Sequence, residues 1–296
     1  MKLIVMAGGM GNQMFRYALA LSLRHKGNKV SLFLPLQKES KTYGHQGFEL
    51  SKLFKIEVCE GAFSRLYTWF VEIAGLTQKV FPKKYRVYIY KFIGIHIHSE
   101  PEFFKYSRCV FEEKHRNELL IGTWQSEKYF EDIRETVAKA FEFDEKLLSL
   151  KTKELSKLIG SKESVFIHIR RGDYLSAQYI EEFTGVCTTE YYSLALKYIT
   201  DKVENPLYYI FTDDKEWVKA HFAVGDAVFV DFNQGVNSWQ DMYLMSQCKH
   251  GIIANSTFSW WGAWLNTNPR KVVIAPKRWI KSIEQDDFVP GSWIRL

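Results

Sequence analysis

Two adjacent arginines, Arg170 and Arg171, follow directly on the apolar, β-branched run Val165 to Ile169 and are followed by Gly172 and Asp173. Each guanidinium is permanently charged and offers five donors in a planar fork. Placing such a pair at the end of a core strand is costly unless an anion or carboxylates meet it. At the carboxyl end of a strand in an open α/β sheet, the usual partner is a ligand phosphate. The stretch His168 to Asp173 therefore predicts one wall of an anion site. Gly172 lets the chain turn tightly or approach the ligand closely, and Asp173 could clamp an arginine or meet a sugar hydroxyl. In the alternative reading the arginines alternate sides and pair with surface acids.

Two other stretches place polar residues just after apolar runs. Thr212, Asp213 and Asp214 follow Pro206 to Phe211, and Asn255, Ser256 and Thr257 follow Gly251 to Ala254, with Phe258 opening the next apolar stretch. The second is a helix-capping turn whose free N–H groups and hydroxyls suit a phosphate, or serve as a plain N-cap. Asp213 and Asp214 could hold magnesium. With two arginines beside them able to neutralise a diphosphate, a metal is redundant, and a ribose hydroxyl or an arginine is the expected partner. In the first half, Gly8 to Gln13 forms a glycine-rich turn between a strand and a helix, where backbone N–H groups can face an anion. It matches neither GxGxxG nor a Walker loop. Asn12 and Gln13 add side-chain amides able to reach hydroxyls or phosphate. His96 and His98 share a strand face without a third ligand at metal spacing.

The elements that must position these groups alternate at βαβ spacing. Leu3 to Ala7 reads as a strand, Met14 to Lys26 as a helix and Asn28 to Leu34 as a second strand. The middle is less regular: a short helix near Phe48 to Phe54, a helix over Phe63 to Leu76 and an extended aromatic stretch from Tyr85 to His98. Leu119 to Gly122 is a strand, Tyr129 to Phe141 a helix and Phe143 to Leu158 a second helical run suited to bridge domains. After the arginine turn, Tyr174 to Gly185 is irregular and could close over a substrate. Strands then end the series at 206–211, 228–229, 251–254 and 272–275, with helices between them. The fold class is α/β, with two Rossmann-like domains, 1–155 and 156–296, the second built on a parallel sheet.

Size and composition are consistent with that division. The 296 residues are 46% hydrophobic, 25% charged and 16% aromatic, as for a folded protein with aromatic faces to spare for sugars or bases. The net charge is +6, and residues 1–150 hold all of it, with 23 Lys and Arg against 17 Asp and Glu. This mildly basic half suits an anionic substrate or membrane surface. It is too diffuse for nucleic acid. Cys59, Cys109, Cys187 and Cys248 form no CxxC pair and read as buried thiols in a reducing compartment. No signal peptide and no membrane-length apolar run is seen, so the expectation is a cytoplasmic protein with room for peripheral contact at the inner membrane.

Three stretches, GGMGNQMFRYA at 8–18, HIRRGDY at 168–174 and CKHGIIANSTFSWWGAWLN at 248–266, together with FTDD at 211–214 and APKRW at 275–279, resemble the bacterial α1,2-fucosyltransferases of glycosyltransferase family 11. The resemblance runs through the whole chain in order. It implies a GT-B fold whose halves face a central cleft, the first on the acceptor side and the second binding GDP-β-L-fucose. It also implies inverting transfer of L-fucose to the 2-OH of a terminal galactose, with no metal or other cofactor required. By motif, Arg171 would bind the diphosphate, with His168, Arg170 and Asp173 around nucleotide or sugar and Asp173 the conceivable general base. Asn255, Ser256 and Thr257, beside Phe258, would meet phosphate or fucose. Asp213 or Asp241 would hold ribose, guanine or loop geometry, and Asn12 would reach donor or acceptor. The chain departs from the family pattern at Met10, where leucine is commoner, and at Arg16, where a neutral polar residue is. A galactose-terminated glycan of an O-antigen, capsule or lipid-linked oligosaccharide is the implied partner. A related transferase using another GDP-sugar, and a non-catalytic carbohydrate- or nucleotide-binding protein, are the alternatives.

Overall fold

The computed structural model describes residues 1–34, 48–57, 91–92, 94–112, 114–172, 180–222, 224–283 and 287–296. The chain divides into two compact units, Met1–Glu142 and Phe143–Leu296. The division lies ahead of the 155/156 boundary expected from sequence. The cause is α4, Leu150–Gly160, which packs on α8, Trp239–Gln247, within the second unit. Ser149, its N-cap, donates its N–H to Gln240 Oε1 on that same helix, 2.9 Å away. A polar run read as a bridge is thus held by polar contacts of its own.

The first unit is a four-stranded parallel sheet in the order β2-β1-β4-β3, made of β1 Lys2–Val5, β2 Val30–Phe33, β3 His96–Ser99 and β4 Glu118–Ile121. Helix α1, Met10–His25, links β1 to β2 and buries Met14, Phe15, Ala18, Leu19 and Ser22, the positions its 3.6-residue period puts on one face. Short α2, Leu50–Leu53, lies in the stretch expected to be helical. The expected helix over 63–76 falls outside the described residues, as does half of 85–98, of which His96 and His98 belong to β3. The run 129–141 is less regular than its apolar spacing suggests. Two 3-10 turns, Glu127–Tyr129 and Glu131–Ile133, precede α3, Arg134–Ala140.

The second unit is a six-stranded parallel sheet in the order β10-β9-β8-β5-β6-β7. Central β5, Ser164–Ile169, is buried at every position, between β6 Leu207–Thr212 and β8 His250–Ile252. The others are β7 Val228–Val230, β9 Val273–Ala275 and a two-residue strand, β10 Ile294–Arg295, too short to show in a sequence pattern. Helices α5 Ile180–Phe183, α6 Thr189–Lys202, α7 Lys215–His221, α8 and α9 Thr257–Leu265 complete the alternation. The tryptophans of α9, Trp260, Trp261 and Trp264, are all buried core residues, and Trp260 donates its indole N–H to Phe288 O at 2.9 Å.

One buried ion pair ties the first sheet together. Lys2 on β1 stands opposite Glu118 on β4, their side chains 2.9 Å apart and nearly sealed from water. Lys2 Nζ also donates to Val110 O and Glu112 O at 2.6 and 3.1 Å. Removing one partner of such a pair strands a buried charge, at about 3–5 kcal/mol, whereas replacing both with apolar groups is often neutral. Urea unfolding of Lys2→Met is therefore expected to show a loss of about 3–5 kcal/mol. The double variant Lys2→Met/Glu118→Leu should recover most of it.

Candidate active site

In the second unit the parallel register sets Ile169, the last residue of β5, beside Thr212, the last of β6. The residues that follow each strand are level with one another, so Arg170 and Arg171 meet Asp213 and Asp214. Asp213 Oδ2 lies 3.2 Å from Arg170 Nη1. The same carboxylate accepts the main-chain N–H of Arg171 at 2.9 Å through Oδ1 and of Gly172 at 3.1 Å through Oδ2. A Cβ on Gly172 would stand only 2.9 Å from Asp213 Oδ2, so the residue type belongs to this clasp. Asp214 Oδ2 accepts from Arg171 Nε at 3.2 Å. Its Oδ1 caps α7 by accepting from Trp217 N at 3.1 Å. The Trp217 ring in turn lies 3.9 Å from the Arg171 guanidinium carbon.

Arg171 is thereby held on one edge and one face. Its terminal nitrogens make no hydrogen bond among the described residues. The ion pairs are about a quarter to a third exposed, and pairs this wet contribute only about 0–1 kcal/mol each. Their effect is to orient the forks. Among the described residues no group of three or more His, Cys, Asp or Glu is placed to hold a metal ion. Asp213 and Asp214 serve the arginines.

His168, two residues before Arg170, is buried. Among the described residues its Nδ1 has no hydrogen-bond partner. Burial first, and then the Arg170 charge, push its pKa down to about 3, so the ring is neutral. The ring lies 6.1 Å from that of Phe258, the second residue of α9. Ser256 caps this helix, its Oγ accepting from Phe258 N at 3.3 Å. Thr257 opens it.

Asn255 has its side-chain amide engaged within the second unit. Its Nδ2 donates to Phe183 O at 3.2 Å and Trp279 O at 3.1 Å, and Cys187 Sγ approaches its Oδ1 at 3.5 Å. The side chain pins α5 to the segment beyond β9. Asp241 is carried on another element. It sits in the first turn of α8, where Oδ1 accepts from Asn233 Nδ2 at 2.8 Å, and burial with nearby Asp231 raises its pKa to about 7. Of its expected roles this contact fits loop geometry. Asp173 lies outside the described residues. Sequence reading missed Trp217 and the pair Tyr191 and Tyr192. Tyr192 donates to His168 O at 2.9 Å, and Tyr191 to Ile253 O and Ile274 O at 2.7 and 3.2 Å, so one helix start fixes the exits of three strands. The only signal for Trp217 is its place three residues after a capping aspartate.

In the first unit, Asn12 Oδ1 accepts from Gln125 Nε2 at 2.5 Å, joining the turn after β1 to the turn after β4. Gln13 is spent on the main chain, donating to Gly8 O at 2.8 Å and accepting from Glu49 N at 3.0 Å. Arg16 bridges the same two turns through Ala7 O and Gly122 O. Burial lowers its pKa to about 10, against the pull of Glu100. Glu100, beyond β3, accepts from Thr123 N, Thr123 Oγ1 and Trp124 N at 2.7, 2.9 and 3.1 Å.

The sequence model of Glycosyl transferase family 11 matches residues 2–295. The chain belongs to glycosyl transferase family 11. Among relatives of this family 11 chain, the alpha-1,2-colitosyltransferase of Escherichia coli is 35% identical over 298 residues, covering 98% of this chain and 97% of the relative. The O-antigen biosynthesis glycosyltransferase WbnK of Escherichia coli is 31% identical over 98% of this chain and 99% of its own. Human galactoside alpha-(1,2)-fucosyltransferase 1 is 27% identical over 176 residues, half of this chain and 48% of that protein. The NodZ alpha-1,6-fucosyltransferase crystal structure, soaked with GDP-fucose, superposes with a TM-score of 0.52 at 13% identity, over 92% of this chain and 94% of that one. At that identity the likeness speaks to fold, and it agrees with the two-domain α/β, GT-B-like architecture. Among the described residues, no helix of the family 11 chain is long and apolar enough to cross a membrane.

Two outcomes are expected from this geometry. Asp213→Asn should release the Arg170 fork and loosen the turn, lowering transferase turnover at least tenfold while unfolding free energy falls by no more than about 1 kcal/mol. Asp241 has a folded pKa above the ordinary carboxyl value of about 3.9. The folded state therefore binds the proton more tightly between about pH 4 and pH 7, and stability declines as pH rises through that window. Denaturation of Asp241→Asn at pH 5 and pH 8 should show that decline reduced.

Proposed function

We propose that this family 11 glycosyltransferase moves L-fucose from GDP-β-L-fucose to the 2-OH of a terminal galactose, forming an α1,2 linkage with inversion. The observation that carries the reading is Arg171, fixed by Asp214 and Trp217 with its terminal nitrogens unspent among the described residues at the end of β5. A bidentate fork presented at a strand end matches a diphosphate. Ser256 and Thr257 at the start of α9 add N–H and hydroxyl donors of the kind that meet phosphate or sugar. Asn12, from the first unit, is the proposed contact to donor or acceptor, and that unit is the proposed acceptor side.

In this mechanism the acceptor hydroxyl attacks the anomeric carbon opposite GDP through an oxocarbenium-like state. The C–O bond to the diphosphate breaks, and its electron pair leaves as charge on the β-phosphate. Arg171 stabilises that charge as it grows. Asp173, next to the clasped turn, is the proposed acceptor of the hydroxyl proton. Neutral His168 packs beside the turn without adding to its charge. Removing a donor that faces developing charge costs about 2.7–4 kcal/mol, roughly 10²–10³ in rate. Arg171→Ala, folded as judged by circular dichroism, should lose transfer to that extent with GDP-fucose, and near-normal turnover would refute the assignment.

A second donor has specific support. The 35% identical relative is a colitosyltransferase, and colitose is fucose without its 3-OH. A site that hydrogen-bonds a sugar hydroxyl rejects the analogue lacking it by about 10⁴–10⁵, whereas an apolar wall tolerates both within roughly 10². Comparing kcat/KM for GDP-fucose and GDP-colitose on one galactoside acceptor decides between them. A preference for GDP-colitose above tenfold would replace fucose in the proposal.

A further inference from the structure

A second cluster of reactive side chains lies in the first unit, away from the arginine turn in sequence and in sheet. Cys109, in the 3-10 turn Arg108–Phe111, is half-buried, and His98 of β3 places Nε2 3.3 Å from its Sγ. On the other side of that ring, Glu118 Oε2 stands 4.0 Å from His98 Nδ1. Ser107 Oγ lies 2.8 Å from Sγ. A thiol within reach of an imidazole, with a third group behind it, is the arrangement that activates a nucleophile. Trp124 packs edge-on against the His98 ring at 6.0 Å, and its buried indole N–H has no acceptor among the described residues.

The other described thiols differ. Cys187 and Cys248 are held protonated by burial, the first with its pKa pushed up to about 12 and the second higher still. Among the described residues neither has an imidazole partner: Asn255 and Tyr192 face Cys187, and Ser164 faces Cys248. At His98, burial favours the neutral ring, which is the form able to take a proton. Cationic Lys2 and Lys114 work in the same direction, while Glu118 and Glu112 oppose them. Arg108 and Tyr129 complete the titratable surroundings. Glu118 is already paired with Lys2 at 2.9 Å, so its support of an imidazolium is electrostatic and partial.

We propose that Cys109 is a nucleophilic thiol with His98 as its base, and that the cluster is a covalent modification site for small soft electrophiles. In the step, Sγ forms a bond to the electrophilic carbon as its proton passes to His98 Nε2. The leaving group departs with the electron pair of the broken bond. With iodoacetamide, an S–C bond forms, the C–I bond breaks, iodide leaves, and the imidazolium faces Glu118 until it returns the proton to water. None of this rests on the donor or acceptor of the transfer reaction.

The test is the rate of carbamidomethylation of the full chain by iodoacetamide, resolved by peptide mass spectrometry into Cys59, Cys109, Cys187 and Cys248. Cys109 is expected to label at least tenfold faster than glutathione at pH 7. An unassisted thiol of pKa near 8.5 slows about tenfold from pH 7.5 to 6.5, whereas a His-assisted one should slow by less than about threefold. His98→Gln should lower the Cys109 rate at least tenfold, restore the steep pH dependence and leave Cys187 and Cys248 unchanged. A Cys109 rate at or below that of glutathione, or a rate within twofold after His98→Gln, overturns the proposal. Should His98→Gln not fold, the wild-type rate and pH profile decide alone.

Discussion

Two permanent positive charges at the exit of a fully buried strand can be held in place only by negative charge from the neighbouring strand. The parallel register of β5 and β6 supplies it, because Ile169 and Thr212 end their strands side by side and the next residues on each are Arg170, Arg171 and Asp213, Asp214. The carboxylates do more than neutralise. Asp213 also takes two main-chain N–H groups of the turn, and Asp214 caps the helix whose Trp217 lies against Arg171. One pair of acidic residues thus sets side-chain direction, turn conformation and helix start together.

The rim around that turn is stiffened from beneath. Tyr191 and Tyr192, adjacent on α6, reach carbonyl oxygens at the ends of β5, β8 and β9, and Asn255 joins α5 to the segment after β9. The first unit solves its own rim problem with fewer charges. Arg16 is spent on carbonyls of the turns after β1 and β4, and Glu100 on N–H groups of the latter turn. Among the described residues the second unit leaves Arg171 nitrogens open, while in the first Arg16 and Glu100 are taken up by main-chain groups.

The arginine turn and the order of strands and helices in the second unit were legible in the sequence, since each depends on local period or on residues that have no other reason to be adjacent. Charge balance left Asp213 and Asp214 with an arginine or a ribose hydroxyl as partner, and arginine is the one they meet within the protein. Less visible were contacts that depend on tertiary placement. Asn255 has the composition of a ligand-binding cap, yet its amide turns inward because two carbonyls from distant segments converge on it. Trp217, Tyr191 and Tyr192 look like ordinary helix core until their polar atoms or ring faces are located. Cys109 read as a buried thiol in a reducing compartment, and only the fold sets it beside His98.

The buried ring of His168 carries a further consequence. Histidine is the side chain ordinarily expected to change charge near neutrality, and one sits inside the motif that bears the two arginines. Held neutral by burial down to about pH 3, it is electrically silent over the whole range in which an enzyme is assayed. The two guanidiniums, which never lose their protons, then carry a positive charge that does not vary with pH. An acid limb in a pH–rate profile of this protein would report some other titrating group, and the motif histidine would contribute shape alone.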